Sequence, residues 1–350
     1  VRSVAIIKQN AARPGGLEKY TERMVKALEE RSCRVSLVSC SLKSRMSVSK
    51  VAEFDQYCAS YLKNHPHEIV FGMDRTRRQT HIRAGNGVHA SNLQVRRKLE
   101  GFFKGISFTL NPLHRLLLRI EKEAFENPDL RMVFANSHMV RSQILEHYSL
   151  DPKKIHVVHN GVEWKEMELD FQHWPHMSRE RDKHHFLFIG HNFQRKGLKI
   201  LLDALSRLKN RDFLLSVVGR DKNEAWFKSY AEKIGLKDRV SFYGTTPSIR
   251  PFYQSADTLV IPSFYDPFAN VTIEALAMGL YVISSKMNGA HEILTSETGS
   301  TFETGEELAS LLEKAMDQGK TWESSLKIRK TVQHLDFSSQ LTQLCDLCLS

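Results

Sequence analysis

Short apolar runs alternate with longer amphipathic stretches along the whole chain. In the first half, Val4–Lys8, Arg34–Ser39, Glu68–Gly72, Arg131–Asn136 and Lys154–His159 have the length and apolar content of strands. Leu17–Arg31 puts Leu17, Met24 and Leu28 on one helical face. Val51–Asn64 predicts another helix, and Ser137 reads as the N-cap of one reaching about Tyr148. The second half repeats the alternation. Its strands are His185–Ile189, Phe213–Val218, Val240–Tyr243, Thr258–Pro262 and Tyr281–Ser285. Its helices are about Lys196–Leu208, Asn223–Gly235, Pro247–Ala256 and Asn270–Met278, the last closed by Gly279 as a C′ residue.

Strands alternating with helices predict parallel, doubly wound sheets, and two such series predict two α/β domains. The polar, aperiodic stretch Glu163–Lys183 reads as the linker region, with a break already at Asn160-Gly161. The expected domains are 1–159 and 160–335, followed by a closing helix over Phe337–Leu349. Open α/β sheets bind ligands beyond the carboxyl ends of their strands, so two facing sheets predict one shared cleft.

The length of 350 residues suits two domains. A formal charge of +10 favours an anionic partner: nucleic acid, an anionic membrane or a phosphorylated substrate. A solvated basic surface is the alternative. No run approaches the eighteen or so apolar residues of a membrane span. Val1–Lys8 lacks the features of a signal peptide, and a cytoplasmic location is expected. Cys33, Cys40, Cys58, Cys345 and Cys348 are odd in number and scattered, which argues against a disulfide framework. Cys345 and Cys348 form a C-x-x-C without two further ligands nearby, so they read as small residues on a C-terminal helix. No metal is expected.

Three segments carry candidate chemistry. Gln9–Gly16 follows the first strand and ends in Gly15-Gly16, where backbone N–H groups at a helix start can approach a phosphate; a tight turn is the alternative. Ile189-Gly190-His191-Asn192-Phe193-Gln194-Arg195-Lys196-Gly197 lies on the ligand edge of the second sheet. Arg195 and Lys196 put two cations at the start of a helix, where they are electrostatically misplaced unless an anion arrives. A basic surface loop is the competing account. Asp266-Pro267-Phe268-Ala269-Asn270-Val271-Thr272-Ile273-Glu274 holds two carboxylates suited to accepting hydrogen bonds from ribose or sugar hydroxyls. A helix N-terminal acid beside a loop acid explains them equally well.

The run Asp266 to Glu274 resembles the E-x7-E element of retaining GT-B glycosyltransferases of family 4, with Asp in the first place. The segments 191–197 and Val218-Gly219-Arg220-Asp221-Lys222, with Gly15-Gly16-Leu17, resemble the branch that adds glucose to the heptose of the lipopolysaccharide core. The resemblance runs through most of the chain and is looser over about Ser41–Asn64. It implies an α/β fold of GT-B type, with an acceptor domain first and a nucleotide-sugar domain second. It implies that Arg195 and Lys196 hold the donor diphosphate and stabilise it as it leaves. Gly15 and Gly16 would approach the same phosphate. Glu274 would bind ribose and Asp266 the transferred sugar, with Ala269, Asn270 and Val271 forming the turn against sugar and phosphate. Gly190, Gly219 and Asp221 would complete the donor site. The implied co-substrate is UDP-glucose, with no cofactor and no metal.

Arg83-Ala84-Gly85-Asn86-Gly87-Val88-His89 resembles the first-domain segment near the acceptor and the anomeric carbon. Asn86 stands where relatives often carry Asp, and Asn cannot act as a base. A mechanism in which the leaving phosphate takes the acceptor proton tolerates it. His89 is either a polar contact there or a structural histidine.

Gln94–Lys122 interleaves Arg96, Arg97, Lys98, Lys104, Arg115, Arg119 and Lys122 with Phe102, Phe103, Phe108 and Leu116–Leu118. This mixture fits a helix lying on an anionic membrane. An amphipathic helix pair packed on the first sheet fits it too. The resemblance implies a lipopolysaccharide core or other anionic glycolipid acceptor at the inner face of the cytoplasmic membrane. No nucleic-acid recognition motif accompanies the charge.

Overall fold

A computed structural model describes residues 1–9, 16–173 and 183–350, without the side chains at 17, 18 and 102–104. It divides into two units, Val1–His159 with Gln340–Ser350, and Asn160–Ser339.

The first unit runs β1 Ser3–Ile7, α1 Gly16–Glu29, β2 Arg34–Val38, α2 Ser47–Asn64, β3 Ile69–Gly72 and β4 His81–Arg83. It continues with α3 His89–Glu100, α4 Phe102–Leu110, α5 Pro112–Phe125, β5 Met132–Ala135, α6 His138–His147 and β6 Ile155–Val157. The sheet order is β2-β1-β3-β4-β5-β6, all parallel. Val4 to Ile7 are fully buried because helices cover both faces of the sheet, which is why β1 reads as a continuous apolar run. Ala5, Ile7 and Val70 pack with Phe54 and Cys58 of α2, while Ile82 and Val133 pack with Ala124, Phe125 and Val140. Ser137 caps α6 through its Oγ, 3.2 Å from the Val140 amide.

The second unit runs α7 Glu168–His173, β7 His184–Ile189, α8 Leu198–Ser206, β8 Phe213–Val218, α9 Glu224–Lys233, β9 Val240–Gly244, α10 Arg250–Ser255 and β10 Thr258–Ile261. Then come α11 Asn270–Ala277, β11 Tyr281–Ser285, β12 Gly299–Phe302, α12 Gly305–Gln318 and α13 Trp322–Thr331. The order β12-β11-β10-β7-β8-β9 is again all parallel. Strand residues alternate between two cores. Leu187, Leu259, Ile261 and Val282 face α11 and α13; Phe186, Phe188, Val260 and Ile283 face α8 and α12. A last helix, α14, spans Phe337–Leu349, and Gln340–Ser350 belong to the first unit. Cys345 and Cys348 are buried on it, and burial pushes their thiols up to about 11 and about 12.

Three expectations need correction. The stretch taken as a linker contains α7, and Met167 and Phe171 within it are core residues of the second unit; residues 174–182 of it lie outside the described ones. Strands β4 and β12 went unread because each is short and mostly polar. Helix α8 starts at Leu198, because Gly197 takes a left-handed φ of 78° and interrupts the turn. Gly279, with φ 70°, does close α11 as a C′ glycine.

Strand order locates the sites. In the second sheet, β7 pairs with β10 on one side and β8 on the other, so the chain reverses its direction of winding between β7 and β10. The crevice beyond such a reversal is where doubly wound sheets hold ligands. The loops leaving β7 and β10 are 190–197 and 262–269, the two segments singled out by their cations and carboxylates. In the first sheet the reversal falls between β1 and β3. Among the described residues no helix is long and apolar enough to cross a membrane.

Candidate functional site

The loop after β7 is anchored by Phe193, which is fully buried and meets Phe188 and Phe227 edge-on. Asn192, with φ 60°, caps the following turn by accepting from the Arg195 amide at 3.2 Å. Asp221 ties this loop to the one after β8. One carboxylate oxygen accepts from the Phe193 amide and the other from the Asn223 amide, both at 2.7 Å. Its role here is to hold loops. Gly219 has φ 129°, and a Cβ there would collide with the Gly190 carbonyl. These two glycines let the ends of β7 and β8 approach each other.

The loop after β10 meets the first loop directly, with the Phe264 amide donating to the Arg195 carbonyl at 3.1 Å. A Cβ on Gly197 would strike the Pro262 carbonyl. Asp266 is held from both sides by backbone, its amide donating to Met287 O at 3.0 Å and its carbonyl accepting from Gly289 N at 2.8 Å. Asn288 is a residue that sequence reasoning missed. Fully buried, it accepts from the Ala269 amide at 3.0 Å and donates to Thr272 and Ser284. It fixes the turn at Ala269 against the start of α11, where Asn270 is exposed and Val271 half-buried. The Asn288-Gly289 pair, a turn signal, was the available clue.

Between these loops Lys196 forms an ion pair with Asp266, and Arg195 donates to the Tyr265 carbonyl at 2.9 Å. Neither a basic surface loop nor a cation without a counter-ion describes Lys196. Lys196 is not in exposed surroundings, since its side chain retains 13 % of its accessibility and that of Asp266 12 %. Nor is its charge uncompensated, because Asp266 supplies a counter-ion. Glu274 sits one turn into α11, and its Oε2 accepts from the Tyr253 hydroxyl at 2.7 Å. Burial raises its pKa, and the Tyr253 hydrogen bond opposes part of that rise. Tyr253, on α10, was also missed; nothing in its local sequence marks it as a partner of Glu274.

On the first unit, Ala84–Gly87 forms a turn beyond β4, closed by Gly87 N to Ala84 O at 3.1 Å, and Asn86 is exposed on it. Asn136, at the end of β5, holds this turn by donating to the Gly85 carbonyl at 3.1 Å. His89 opens α3, and its amide donates to Glu121 at 2.9 Å. Its Nε2 lies 3.2 Å from His114 Nδ1. Burial and then the Arg75 charge push the His89 pKa down to about 4, so its ring is neutral at pH 7. The buried Glu121 also receives Arg75 and the Tyr148 hydroxyl, making it the N-terminal anchor of α3. Gly16 opens α1, while Gly15 lies outside the described residues.

In the basic region, Arg97, Lys98, Leu99, Ile106 and Leu110 are exposed. Arg96 pairs with Glu100 at 2.7 Å and lies 4.3 Å over the Phe108 ring, and Arg97 donates to Thr109 at 3.0 Å. The Lys104 side chain is outside the description. Among the described residues no three His, Cys, Asp or Glu side chains are grouped as a metal ion requires.

Residues 171–334 match the family model for group 1 glycosyl transferases, and residues 62–165 match that for glycosyltransferase family 4. The chain is 23 % identical over 295 residues to the lipopolysaccharide glucosyltransferase WaaG of Escherichia coli K12, covering 81 % of this chain and 77 % of that one. A crystal structure of WaaG superposes with a TM-score of 0.79 at 21 % identity, covering 99 % of both chains. HepE of Anabaena in complex with UDP-glucose superposes at 0.68 with 17 % identity, covering 100 % of this chain and 99 % of that one.

Proposed function

We propose, from the premise that the chain is a GT-B glycosyltransferase of group 1 with a family 4 N-terminal region, that it transfers glucose from UDP-glucose, with retention, to a lipopolysaccharide core glycolipid. The observation that carries this is the meeting of Arg195, Lys196 and Asp266 at the winding reversal of the second sheet, with Glu274 one turn into the helix that follows the Asp266 loop. Fixed cations beside a departing diphosphate lower the barrier, because negative charge develops there in the transition state. Carboxylates are acceptors only, which suits them to ribose and hexose hydroxyls. The UDP-glucose complex of HepE supports a UDP-sugar donor, and similarity to WaaG supports the acceptor class.

The first unit takes the acceptor, near Asn86. Since Asn86 is no base, and His89 is a weak one with its pKa pushed down to about 4 and its Nε2 engaged by His114, the leaving phosphate itself accepts the acceptor's proton. The test is release of UDP from UDP-glucose, compared with UDP-N-acetylglucosamine, GDP-mannose and ADP-heptose, in the presence of a heptose-terminated core acceptor. UDP-glucose is expected to turn over fastest, giving an α-linked product. Faster turnover of another donor, or a β-linked product, contradicts the assignment.

The exposed Arg97, Lys98, Leu99, Ile106 and Leu110 support peripheral attachment to an anionic membrane on the cytoplasmic side. Each basic residue near such a surface contributes about 1 kcal/mol. Binding to vesicles rich in anionic lipid, reversed by salt, is expected in a flotation assay. Equal binding to neutral vesicles would rule out the electrostatic part.

A further inference from the structure

We infer that Asp266 is a counter-ion that the donor diphosphate must displace from Lys196, so that it sets the preference for intact nucleotide-sugar over spent nucleoside diphosphate. The inference rests on the donor-site assignment above and adds to it a second duty for Asp266.

The two partners differ in freedom. Asp266 is pinned through its backbone to Met287 and Gly289, and its Oδ1 accepts from the Phe268 amide at 3.3 Å. Its carboxylate cannot follow a departing lysine. Lys196 reaches it by a flexible stem that lies against Gly190, where an added Cβ would stand 3.0 Å from the lysine Cγ and 3.3 Å from Cδ and Cε. Glycine at 190 therefore leaves the stem room to swing. The lysine is the mobile partner, and the position of its ammonium is open to competition.

Two anions then contend for one ammonium. In a mostly buried setting an ion pair is only weakly screened, so a diphosphate that draws Lys196 to itself works against the pull of Asp266. Free UDP leaves the vacated Oδ2 of Asp266 without its lysine donor, at the cost of a desolvated acceptor, while Oδ1 keeps the Phe268 amide. UDP-glucose brings hexose hydroxyls that can donate to that carboxylate. The penalty thus falls more heavily on the spent nucleotide, which favours its exchange for fresh donor after each turnover. Asp in place of Glu at the first position of the acidic element has its carboxylate within reach of Lys196.

The experiment is calorimetric titration of the full chain with UDP and with UDP-glucose, using wild type, Asp266→Asn, Lys196→Met and the double variant. Asp266→Ser is measured in parallel as a second neutral replacement, and each protein's thermal transition is recorded. Asp266→Asn is expected to bind UDP about tenfold more tightly, with a smaller change for UDP-glucose. That gain should vanish in the double variant. Unchanged or weaker UDP binding by folded Asp266→Asn and Asp266→Ser would overturn the inference, as would a gain that persists without Lys196. If folded wild type and variants bind neither ligand, the donor-site assignment itself fails and takes the inference with it.

Discussion

Lys196→Ala is expected to lower the rate of sugar transfer by about 10²–10³-fold, the usual scale for removing one group that stabilises developing charge. The same change is expected to cost the second unit about 2 kcal/mol, less than breaking a fully buried pair. The ion pair with Asp266 is the reason, since deletion strands a nearly buried carboxylate. The effect on turnover is read from initial rates at saturating donor, and the effect on stability from urea unfolding. A variant that loses stability but keeps its rate would mean that Lys196 is a structural counter-ion and nothing more.

Arg329→Met is expected to be the larger loss of stability, about 3 kcal/mol in the second unit. Arg329 is 1 % exposed on α13. It donates to the Ala277 carbonyl at the end of α11, to the Trp164 carbonyl at 2.6 Å and to Glu168 at 2.8 Å. Its guanidinium lies 4.1 Å from the centre of the Trp164 ring. Methionine fills the volume but leaves two carbonyls without their donor, each costing about 1–3 kcal/mol. Glu168 is half exposed and returns to water at little cost. Because α11 carries Glu274, weaker donor binding should accompany the loss. Urea unfolding followed by tryptophan fluorescence reads the first effect; an unchanged midpoint would show that the contacts of Arg329 are dispensable.

The alternation of strands and helices was legible because strands buried on both faces read as apolar runs, as Val4–Ile7 and Phe213–Val218 do. What escaped is physically consistent. Strand β4 has three residues, two of them His and Arg, and β12 contributes Gly, Ser and Thr before its single Phe. Helix α7 is six residues long and is defined by what it packs against, with Phe171 stacked on Trp322 at 4.8 Å. At the site, cations and carboxylates were visible as residue types in loops. Their pairing was not, because Lys196 and Asp266 are seventy positions apart and meet only when β7 and β10 are neighbours. Tyr253 acts through a tertiary contact that local pattern does not encode, and the Asn288-Gly289 pair signals a turn but not the partners that Asn288 holds.

The central claim is that the crevice between the loops after β7 and β10 holds the diphosphate of a nucleotide-sugar. Its most direct test is a titration of UDP-glucose into the full chain and into Arg195→Ala. Arg195 ties its own loop to the one after β10 twice, donating from its side chain to the Tyr265 carbonyl and accepting on its carbonyl from the Phe264 amide. One saturable site, weakened about tenfold or more by the substitution, is the expected result. Equal affinity in both proteins, with both folded, would place the donor elsewhere and contradict the account.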